Sequence, residues 1–235
     1  MELRAASWNI HGARGGDGRH DPDRTAAVID ELAADIIALQ EVDGPLLREL
    51  AAATGLTPVA GPTGWRHRPG YGNALLTSAR VVRYALLDLS QPDREPRGAV
   101  DADLLCHGRP VRVLATHLGL RPGERRRQTR ALLTRLAATG PSPTLLLGDL
   151  NEWFLWGRPL RWLRHHFGAT PKPATFPARW PLLALDRIWV EPRSALQALL
   201  LTATGGLALL AGMILLGTVA GSSDHRPLLA RVGLP

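Results

Sequence analysis

Short apolar runs recur along the chain and are separated by residues that favour turns, a pattern that predicts buried strands. Two such runs open the chain, several more follow in its middle, and two stand near its C-terminus. The predicted strands are LRAASWN (3–9), DIIALQE (35–41), GNALLTS (72–78), VVRYALLDL (81–89), GAVDADLLC (98–106), RPVRVLATH (109–117), TLLLGD (144–149), LALDRIWV (183–190) and PLLARV (227–232).

Three segments between these runs carry helix signals. Asp21 or Asp23 can cap the first segment, and Gly55 can stop the second. The helices are DPDRTAAVIDELAA (21–34), DGPLLRELAAATG (43–55) and an arginine-rich segment between Pro122 and Gly140. Strands and helices alternate at both ends, with a strand meander between them. This order favours an α/β fold, a two-sheet sandwich in four layers with the helices outside. We find neither an internal repeat nor a linker, so we expect one domain over residues 1–235.

One segment does not fit that pattern. Residues 195–223 contain no charged side chain, and their centre is long enough to span a bilayer. Three alternatives stand: a hairpin that dips into or lies on a membrane, an apolar elaboration folded onto the protein, or a true span that would sacrifice the last strand. The first two keep both ends of the segment on one side, and we favour them jointly. Membrane contact through residues 195–223 is therefore one expectation.

Composition adds a basic surface. The net charge is +7, and arginine supplies nearly all the positive charge because Lys172 is the only lysine. A basic protein favours polyanionic partners such as nucleic acid or anionic lipid, although a general arginine bias explains the charge equally well. The run ERRRQTR (124–130) is interpreted as a solvated helix face. The single cysteine excludes an internal disulfide, and the N-terminus lacks signal-peptide features, so we expect a cytoplasmic protein, with membrane association as an alternative.

Acids, amides and histidines recur at the tips of the predicted strands. Catalytic groups in sheet proteins favour such positions, on loops held by a rigid scaffold. In GDLN, Gly148 allows close backbone approach while an acid and an amide project on one side at a spacing of two. The tip residues are Asn9, Glu41, His117, Asp149, Asn151, Asp186, Asp224 and His225.

The ordered set of motifs resembles the endonuclease/exonuclease/phosphatase superfamily, which has the deoxyribonuclease I-like fold. The resemblance spans nearly the whole chain and is specific for the superfamily, but not for a substrate. The matching stretches are SWNIHG, LQEVD, YGNALLTS, ATHLGL, LLGDLNEW, LDRIWV and SSDHRPLLARV.

The resemblance implies hydrolysis of phosphate esters with a divalent metal, Mg²⁺ with Mn²⁺ as a substitute. Glu41, Asp224 and Asn9 correspond to the metal site, and Asn9 also lies near the phosphate. Oxygen ligands and waters suit Mg²⁺, which offsets the repulsion between an anionic ester and its nucleophile.

The remaining residues correspond to catalytic and substrate-binding groups. Asp149 would orient or deprotonate the attacking water, and Asn151 would hold a phosphate oxygen. His225, steered by Asp186, would bond the phosphoryl oxygen or move a proton. His117 would supply a second phosphate contact or proton. Asn73 is interpreted as structural, and His11, His165 and His166 as surface residues.

We therefore expect a metal-dependent phosphoesterase that cleaves phosphodiester bonds in nucleic acid, phospholipid or a small molecule, without an obligate protein partner. The alternative is a non-catalytic module that binds membrane or nucleic acid and retains the fold. Hydrolysis of a simple phosphodiester distinguishes them. The presence of every acid and histidine of the set favours the enzyme.

Overall fold

The computed structural model describes residues 1–64, 70–138, 140, 142–201 and 223–234. Its strands are β1 (Glu2–Asn9), β2 (Ile36–Val42), β3 (Thr57–Pro62), β4 (Gly72–Thr77), β5 (Arg80–Asp88), β6 (Gly98–Cys106), β7 (Arg109–His117), β8 (Thr144–Asp149), β9 (Asp186–Glu191), β10 (Leu196–Leu201) and β11 (Leu228–Gly233). Its α-helices are α1 (Pro22–Leu32), α2 (Gly44–Thr54), α3 (Pro122–Leu136) and α4 (Arg158–Phe167).

The strands form two sheets that pack face to face with helices outside, which confirms the predicted α/β sandwich. One sheet has the order β10-β11-β1-β2-β4-β3, and the other has the order β5-β6-β7-β8-β9. Three separate clusters of buried apolar side chains lie between the sheets, beneath α1 and α2, and beneath α3 and α4. Four layers therefore enclose three cores.

Local signals placed most elements correctly. Asp21 caps α1, because its carboxylate accepts a hydrogen bond from the backbone N–H of Arg24. Gly55 ends α2 with a left-handed backbone of φ 70°, as its position predicted. The patterns missed β3, whose prolines disfavour a strand, and α4, which is rich in arginine and histidine. Both lie at edges or outer faces, where the apolar signal is weak.

The expectation of a solvated arginine face between residues 124 and 130 is wrong for half of the run. Arg125 is buried and pairs with Glu152 at 3.1 Å, and its guanidinium also donates to the carbonyls of Gly119 and Leu120. Arg126, Arg127 and Arg130 remain partly or fully exposed. Neighbouring arginines on a helix point in different directions, so one can be buried while the others contact solvent. The net charge of the run does not reveal which one is buried.

Replacing Arg125 by alanine should therefore destabilise the fold. The change leaves the carboxylate of Glu152 buried without its cation, which typically costs about 3–5 kcal/mol. The free energy of unfolding, measured by urea denaturation, tests this. Arg127→Ala on the same helix is the control and should change stability by less than about 0.5 kcal/mol. Equal stability of the two variants would contradict the role of the buried pair.

The uncharged segment begins with an ordinary strand. Residues 196–201 form β10, which pairs with β11, so they belong to the sheet and not to an insertion. The last strand, β11, also pairs with β1, so the alternative in which a span removes that strand is wrong. The expectation of membrane contact rests on the central residues 202–222, which lie outside the described part of the chain.

Within the described residues, none of the helices combines the length and apolar character that a membrane span requires.

Candidate active site

All eight strand-tip residues identified in the sequence lie at one edge of the two packed sheets. Asn9 and Glu41 stand at the ends of the parallel strands β1 and β2, and His117 and Asp149 at the ends of the parallel strands β7 and β8. β9 runs antiparallel to β8, so its first residue, Asp186, lies directly opposite Asp149. The loop before β11 brings Asp224 and His225 to the same edge, because β11 runs antiparallel to β1.

The side-chain amide of Asn9 joins the two sheets. Its Nδ2 donates to Glu41 Oε1 at 3.1 Å and to Asp149 Oδ2 at 3.2 Å. The hydroxyl of Ser223 donates to the Asn9 carbonyl at 2.6 Å and so ties the last loop to the same strand end. Asn9 is buried, so these bonds hold its amide in one orientation.

Three residues of the site have unusual backbone conformations. Gly148 has a φ of 150°, and a Cβ there would meet the carbonyl oxygen of Thr116, so only glycine fits between β7 and β8. Glu41 and Asn151 have φ values of 59° and 49°. Glu41 sits at a register shift between β2 and β4, an irregularity that turns its side chain out of the ladder. Strained residues of this kind cluster at functional sites.

Asp149 is the buried centre of the cluster. Its Oδ1 accepts a hydrogen bond from the backbone N–H of Asn151 at 2.8 Å, while Oδ2 lies 3.6 Å from His117 Nε2 and 3.7 Å from His225 Nε2. Burial and the nearby charge of Asp186 raise the pKa of Asp149 to about 6, although His225 opposes this shift.

His225 and Asp186 form a buried ion pair. The Nδ1 atom of His225 lies 2.8 Å from Asp186 Oδ2, which also accepts a hydrogen bond from the hydroxyl of Thr175. Burial alone would lower the pKa of His225, but the charge and hydrogen bond of Asp186, with the charges of Asp149 and Asp224, raise it to about 10. The imidazole is therefore protonated at neutral pH, with Nε2–H directed toward Asp149.

His117 has the opposite electrostatic environment. Arg97 Nη1 lies 3.1 Å from its Nδ1, and burial together with the charges of Arg97 and His225 holds the pKa of His117 well below its usual range. Asn151 Nδ2 lies 2.9 Å from the other ring nitrogen, Nε2, and also donates to the Leu118 carbonyl. A guanidinium and an amide NH2 are both donors, whereas a neutral imidazole has a single acceptor nitrogen, so only one of the two contacts is a hydrogen bond to the ring.

Sequence reasoning missed two members of this region. Arg97 is one arginine among many, and no spacing or motif distinguishes it. His11 is exposed, as expected, but the sequence did not reveal its contact with the site: its Nδ1 lies 3.3 Å from Asp224 Oδ2. The hydrogen bond to Asp224 is the main cause that raises the pKa of His11, and the charge of Glu41 adds to it. The sequence signal for His11 was its position two residues after Asn9. Asn73 donates to the Gly98 carbonyl, in accord with its structural interpretation.

Two sets of side chains could hold a metal at this edge. Asp149, Asp186 and His225 place one ligand atom each within 4.8 Å of one another, but all are buried and His225 is a cation paired with Asp186. Glu41 and Asp224 are only partly buried and both lie close enough to His11 to raise its pKa. Mg²⁺ retains several waters and prefers carboxylates, so the pair Glu41 and Asp224 fits it better.

A second cluster lies at the opposite end of the strands. His107 Nε2 is 3.0 Å from Asp35 Oδ1, and the buried thiol of Cys106 is close to both. Burial and the charge of Asp35 raise the pKa of Cys106 to about 12. This environment is that of an unreactive thiol.

Comparisons with known proteins agree with the fold. A sequence model of the Endonuclease/Exonuclease/phosphatase family matches residues 6–225. Uncharacterized protein YbhP of Escherichia coli (strain K12) is 31% identical over 232 residues, which cover 86% of this chain and 85% of that protein.

Solved structures of the same fold superpose closely. An endonuclease/exonuclease/phosphatase from Bacteroides vulgatus has a TM-score of 0.79 at 18% identity, and the match covers 100% of both chains. A mannosyl-6-phosphatase from Bacteroides thetaiotaomicron gives 0.76 at 17% identity, over 99% of each chain. D. rerio TDP2, complexed with a single strand DNA product, gives 0.73 at 17% identity, over 99% of each chain. At these identities the likeness establishes the fold.

Proposed function

The chain belongs to the endonuclease/exonuclease/phosphatase family of phosphoric ester hydrolases, and from that premise we propose that it hydrolyses phosphodiesters with a divalent metal by attack of water on phosphorus. One observation carries the proposal: the Asn9 amide joins Glu41 to Asp149, and Asp149 lies against both histidines. Side chains from both sheets thus form one hydrogen-bonded network at one edge. Surface residues without a common role would not share buried partners in this way.

Glu41 and Asp224 would hold the metal, with the carbonyl oxygen or amide of Asn9 nearby. Bound Mg²⁺, or Mn²⁺ in its place, supplies positive charge that stabilises the phosphorane-like transition state. Glu41 Oε1 accepts from Asn9, and Oε2 has no hydrogen-bond partner among the described residues, so it remains available as a ligand.

Asp149 would orient the attacking water and accept its proton. Its Oδ1 is fixed by the Asn151 backbone, which leaves Oδ2 facing the two histidines and the Asn9 amide. Because these contacts fix the carboxylate of Asp149, it would keep a constant orientation toward the attacking water.

Three groups would donate to the phosphate oxygens. His225 presents Nε2–H as an imidazolium held by Asp186. His117, a neutral ring between Arg97 and Asn151, and the Asn151 amide itself would supply the other two contacts. Donors fixed before the substrate arrives stabilise the charge that develops on the phosphoryl oxygens. The non-catalytic alternative gives no reason for two histidines to be buried in opposite protonation states beside one carboxylate.

The direct test is hydrolysis of bis-p-nitrophenyl phosphate by the purified 235-residue chain. Activity should appear with Mg²⁺ or Mn²⁺, disappear with EDTA and return when metal is restored. Absence of hydrolysis in all three conditions, by a folded protein, would support the non-catalytic alternative. Plasmid DNA, abasic DNA, RNA, phospholipid and inositol phosphates, tested in parallel, then define the substrate class.

Substitution of Glu41 tests the metal site separately. Glu41→Gln keeps the shape and the hydrogen bond with Asn9 but removes the charge, so the Mg²⁺ concentration for half-maximal activity should rise at least about tenfold. A titration of activity with Mg²⁺ measures this shift. Glu49→Gln, an exposed glutamate on α2, is the matched control. An unchanged metal requirement in Glu41→Gln would place the metal elsewhere.

A further inference from the structure

A cluster of cationic and hydrogen-bond-donating side chains lies outside the active site, beneath α4. Arg187 and Trp189 stand two residues apart on β9 and therefore face the same side of the sheet, away from the core between the sheets. Both are almost fully buried, at 3% and 2% exposure. With Arg164, Lys172 and Thr170 they line one cavity.

The buried donors of this cavity have no acceptors. Arg187 Nη1, Arg187 Nη2 and Trp189 Nε1 lack a hydrogen-bond partner among the described residues. Burial and the charge of Arg164, opposed by the charge of Asp186, lower the pKa of Arg187 to about 10. None of the described residues that line the cavity carries a carboxylate. A buried guanidinium without an anion is costly, so the arrangement calls for a negatively charged ligand.

We propose that this cavity is an accessory binding site for a phosphate-class oxyanion, held by Arg187, Trp189, Arg164 and Lys172. A guanidinium presents parallel N–H groups that match two oxygens of a phosphate, and an indole N–H adds a third donor. The cavity has room of about 20 Å³, which admits an oxygen of the anion, while the remainder would lie in its mouth. The anion could be free phosphate or the phosphate of a lipid headgroup, since both present the same oxygens.

Inorganic phosphate, with EDTA present to exclude metal, tests the site by thermal unfolding. Phosphate should raise the melting temperature of the wild-type chain, since a ligand of the folded state stabilises it. Arg187→Met should abolish the rise while itself melting no lower than wild type, because the variant removes a buried charge whose two Nη atoms have no hydrogen-bond partner among the described residues. Arg161→Met, an exposed arginine of α4, should keep the response. Lys172→Ala is a second variant that alters only a surface side chain, and it should weaken the response.

The remaining outcomes identify the source of the anion and test whether phosphate binds in the active site instead of this cavity. If phosphate has no effect but Arg187→Met weakens binding to phosphatidylglycerol vesicles, the ligand is a headgroup phosphate. If Asn151→Ala abolishes the response to phosphate while Arg187→Met retains it, phosphate binds in the active site and the proposal is overturned. The proposal also fails if neither phosphate nor vesicles distinguish Arg187→Met from wild type.

A different observation concerns the apolar residues around the catalytic edge. Seven of the eleven large apolar side chains that are exposed in the described residues lie in three loops there, and they are 38–80% exposed. We call this set the apolar rim. It consists of Leu120 after β7, Trp153, Phe154, Leu155 and Trp156 after β8, and Trp180 and Leu182 before β9.

The loops of the apolar rim are fastened to the site. Arg125 donates to the Leu120 carbonyl and to Glu152, and Glu152 Oε1 accepts from the backbone N–H of Phe154. On the other side, the Ala178 N–H donates to the Asp224 carbonyl at 2.7 Å, which holds the loop of Trp180 beside the catalytic residues. The exposed side chains therefore stand on anchored backbone.

We infer that the apolar rim docks the catalytic edge onto an anionic phospholipid bilayer. This inference rests on the proposed phosphoesterase function, and it implies that the substrate is a phosphodiester in a lipid headgroup. Residues 153–185 contain no acid but carry five cations, Arg158, Arg161, Arg164, Lys172 and Arg179, which complement an anionic surface. Tryptophan favours the membrane–water interface. Leu120 and Leu182 have no ring that could stack on a base, so lipid fits the rim better than nucleic acid.

Vesicles of phosphatidylglycerol and phosphatidylcholine test the apolar rim in the 235-residue chain. The double substitution Trp153→Ala/Trp156→Ala should weaken vesicle binding on the order of tenfold. It should lower the ratio of turnover on vesicle lipid to turnover on bis-p-nitrophenyl phosphate by a similar factor. Tyr84→Ala is the control, since Tyr84 is equally exposed but lies on β5, away from the catalytic edge.

Vesicle binding and ester hydrolysis are measured independently, so failure of the docking surface can be distinguished from failure of the proposed phosphoesterase function. Vesicle binding that survives the double substitution overturns the docking surface, even if wild type hydrolyses the soluble ester. Loss of single-stranded DNA binding with vesicle binding intact would assign the rim to nucleic acid and also overturn it. A wild type that binds vesicles through the rim but hydrolyses no ester refutes the phosphoesterase and leaves the docking surface standing.

Discussion

Asp149→Asn should lower kcat/KM for bis-p-nitrophenyl phosphate by about 10³-fold, within the range of 10²–10⁴ that a positioned general base typically contributes. The asparagine keeps the shape of the side chain but removes the carboxylate that, in the proposed mechanism, would accept the proton of the attacking water. It also places an amide opposite the Nε2–H of His225 and the amide of Asn9, where the wild type has a carboxylate oxygen. Steady-state kinetics with saturating Mg²⁺ measure the loss.

Asp88→Asn is the matched control for this prediction. Asp88 is also an acid at the end of a strand in the same sheet, but its carboxylate accepts hydrogen bonds from Ser90 and lies outside the cluster. Its substitution should leave the rate unchanged. Comparable activity in Asp149→Asn and Asp88→Asn would remove Asp149 from the mechanism. A loss in which Asp149→Asn also fails to bind metal would indicate a ligand in place of a base.

His225→Ala should reduce kcat by about 10²–10³-fold, because it removes the charged donor that would stabilise the phosphoryl oxygen in the proposed mechanism. It should also destabilise the protein by about 3–5 kcal/mol, since Asp186 is left buried without its cation. Kinetics below the unfolding temperature and urea denaturation measure the two effects. His165→Ala, an exposed histidine on α4, should change neither.

A double-mutant cycle distinguishes the contribution of His225 to catalysis from its contribution to stability. Adding Asp186→Asn to His225→Ala should recover much of the lost stability but none of the lost activity, because the unpaired charge disappears while the donor stays absent. Full additivity in both measurements would show that Asp186 and His225 act independently, against the geometry.

The same pair predicts a dependence of stability on pH. The unfolded chain releases the proton of His225 near its ordinary pKa of 6.5, whereas the folded chain releases it only near pH 10. The stabilisation is therefore complete below about pH 6.5 and is lost as the pH rises to about 10. His225→Ala should lack this decline in the free energy of unfolding.

Much of the architecture could be predicted from local patterns. Apolar runs identified most of the strands, and Asp21 and Gly55 marked the limits of two helices, because burial periodicity and capping act over a few residues. The elements that were missed, β3, β10 and α4, lie at sheet edges or on an outer face. Their burial is one-sided, so composition carries little information about them.

The candidate site residues were identified from their positions and motif resemblance, but their contacts were not. The Asn9 amide reaches Asp149 across 140 residues of sequence, and Trp8 donates from its ring to the His225 carbonyl across 217. Such contacts exist only after both sheets pack. The roles of these residues remain predictions until the substitutions above are measured.

The sequence by itself determined which residues could be buried, where the strands end and which acids, amides and histidines stand at their tips. Only the tertiary structure decided that burial and Arg97 keep His117 neutral, that His11 contacts Asp224, and that the Nη atoms of Arg187 are buried without an acceptor among the described residues. The physical reason is that periodicity and capping depend on neighbours along the chain. Protonation states and partners depend on burial and charge contributed by distant segments, and these are defined only once the layers have packed.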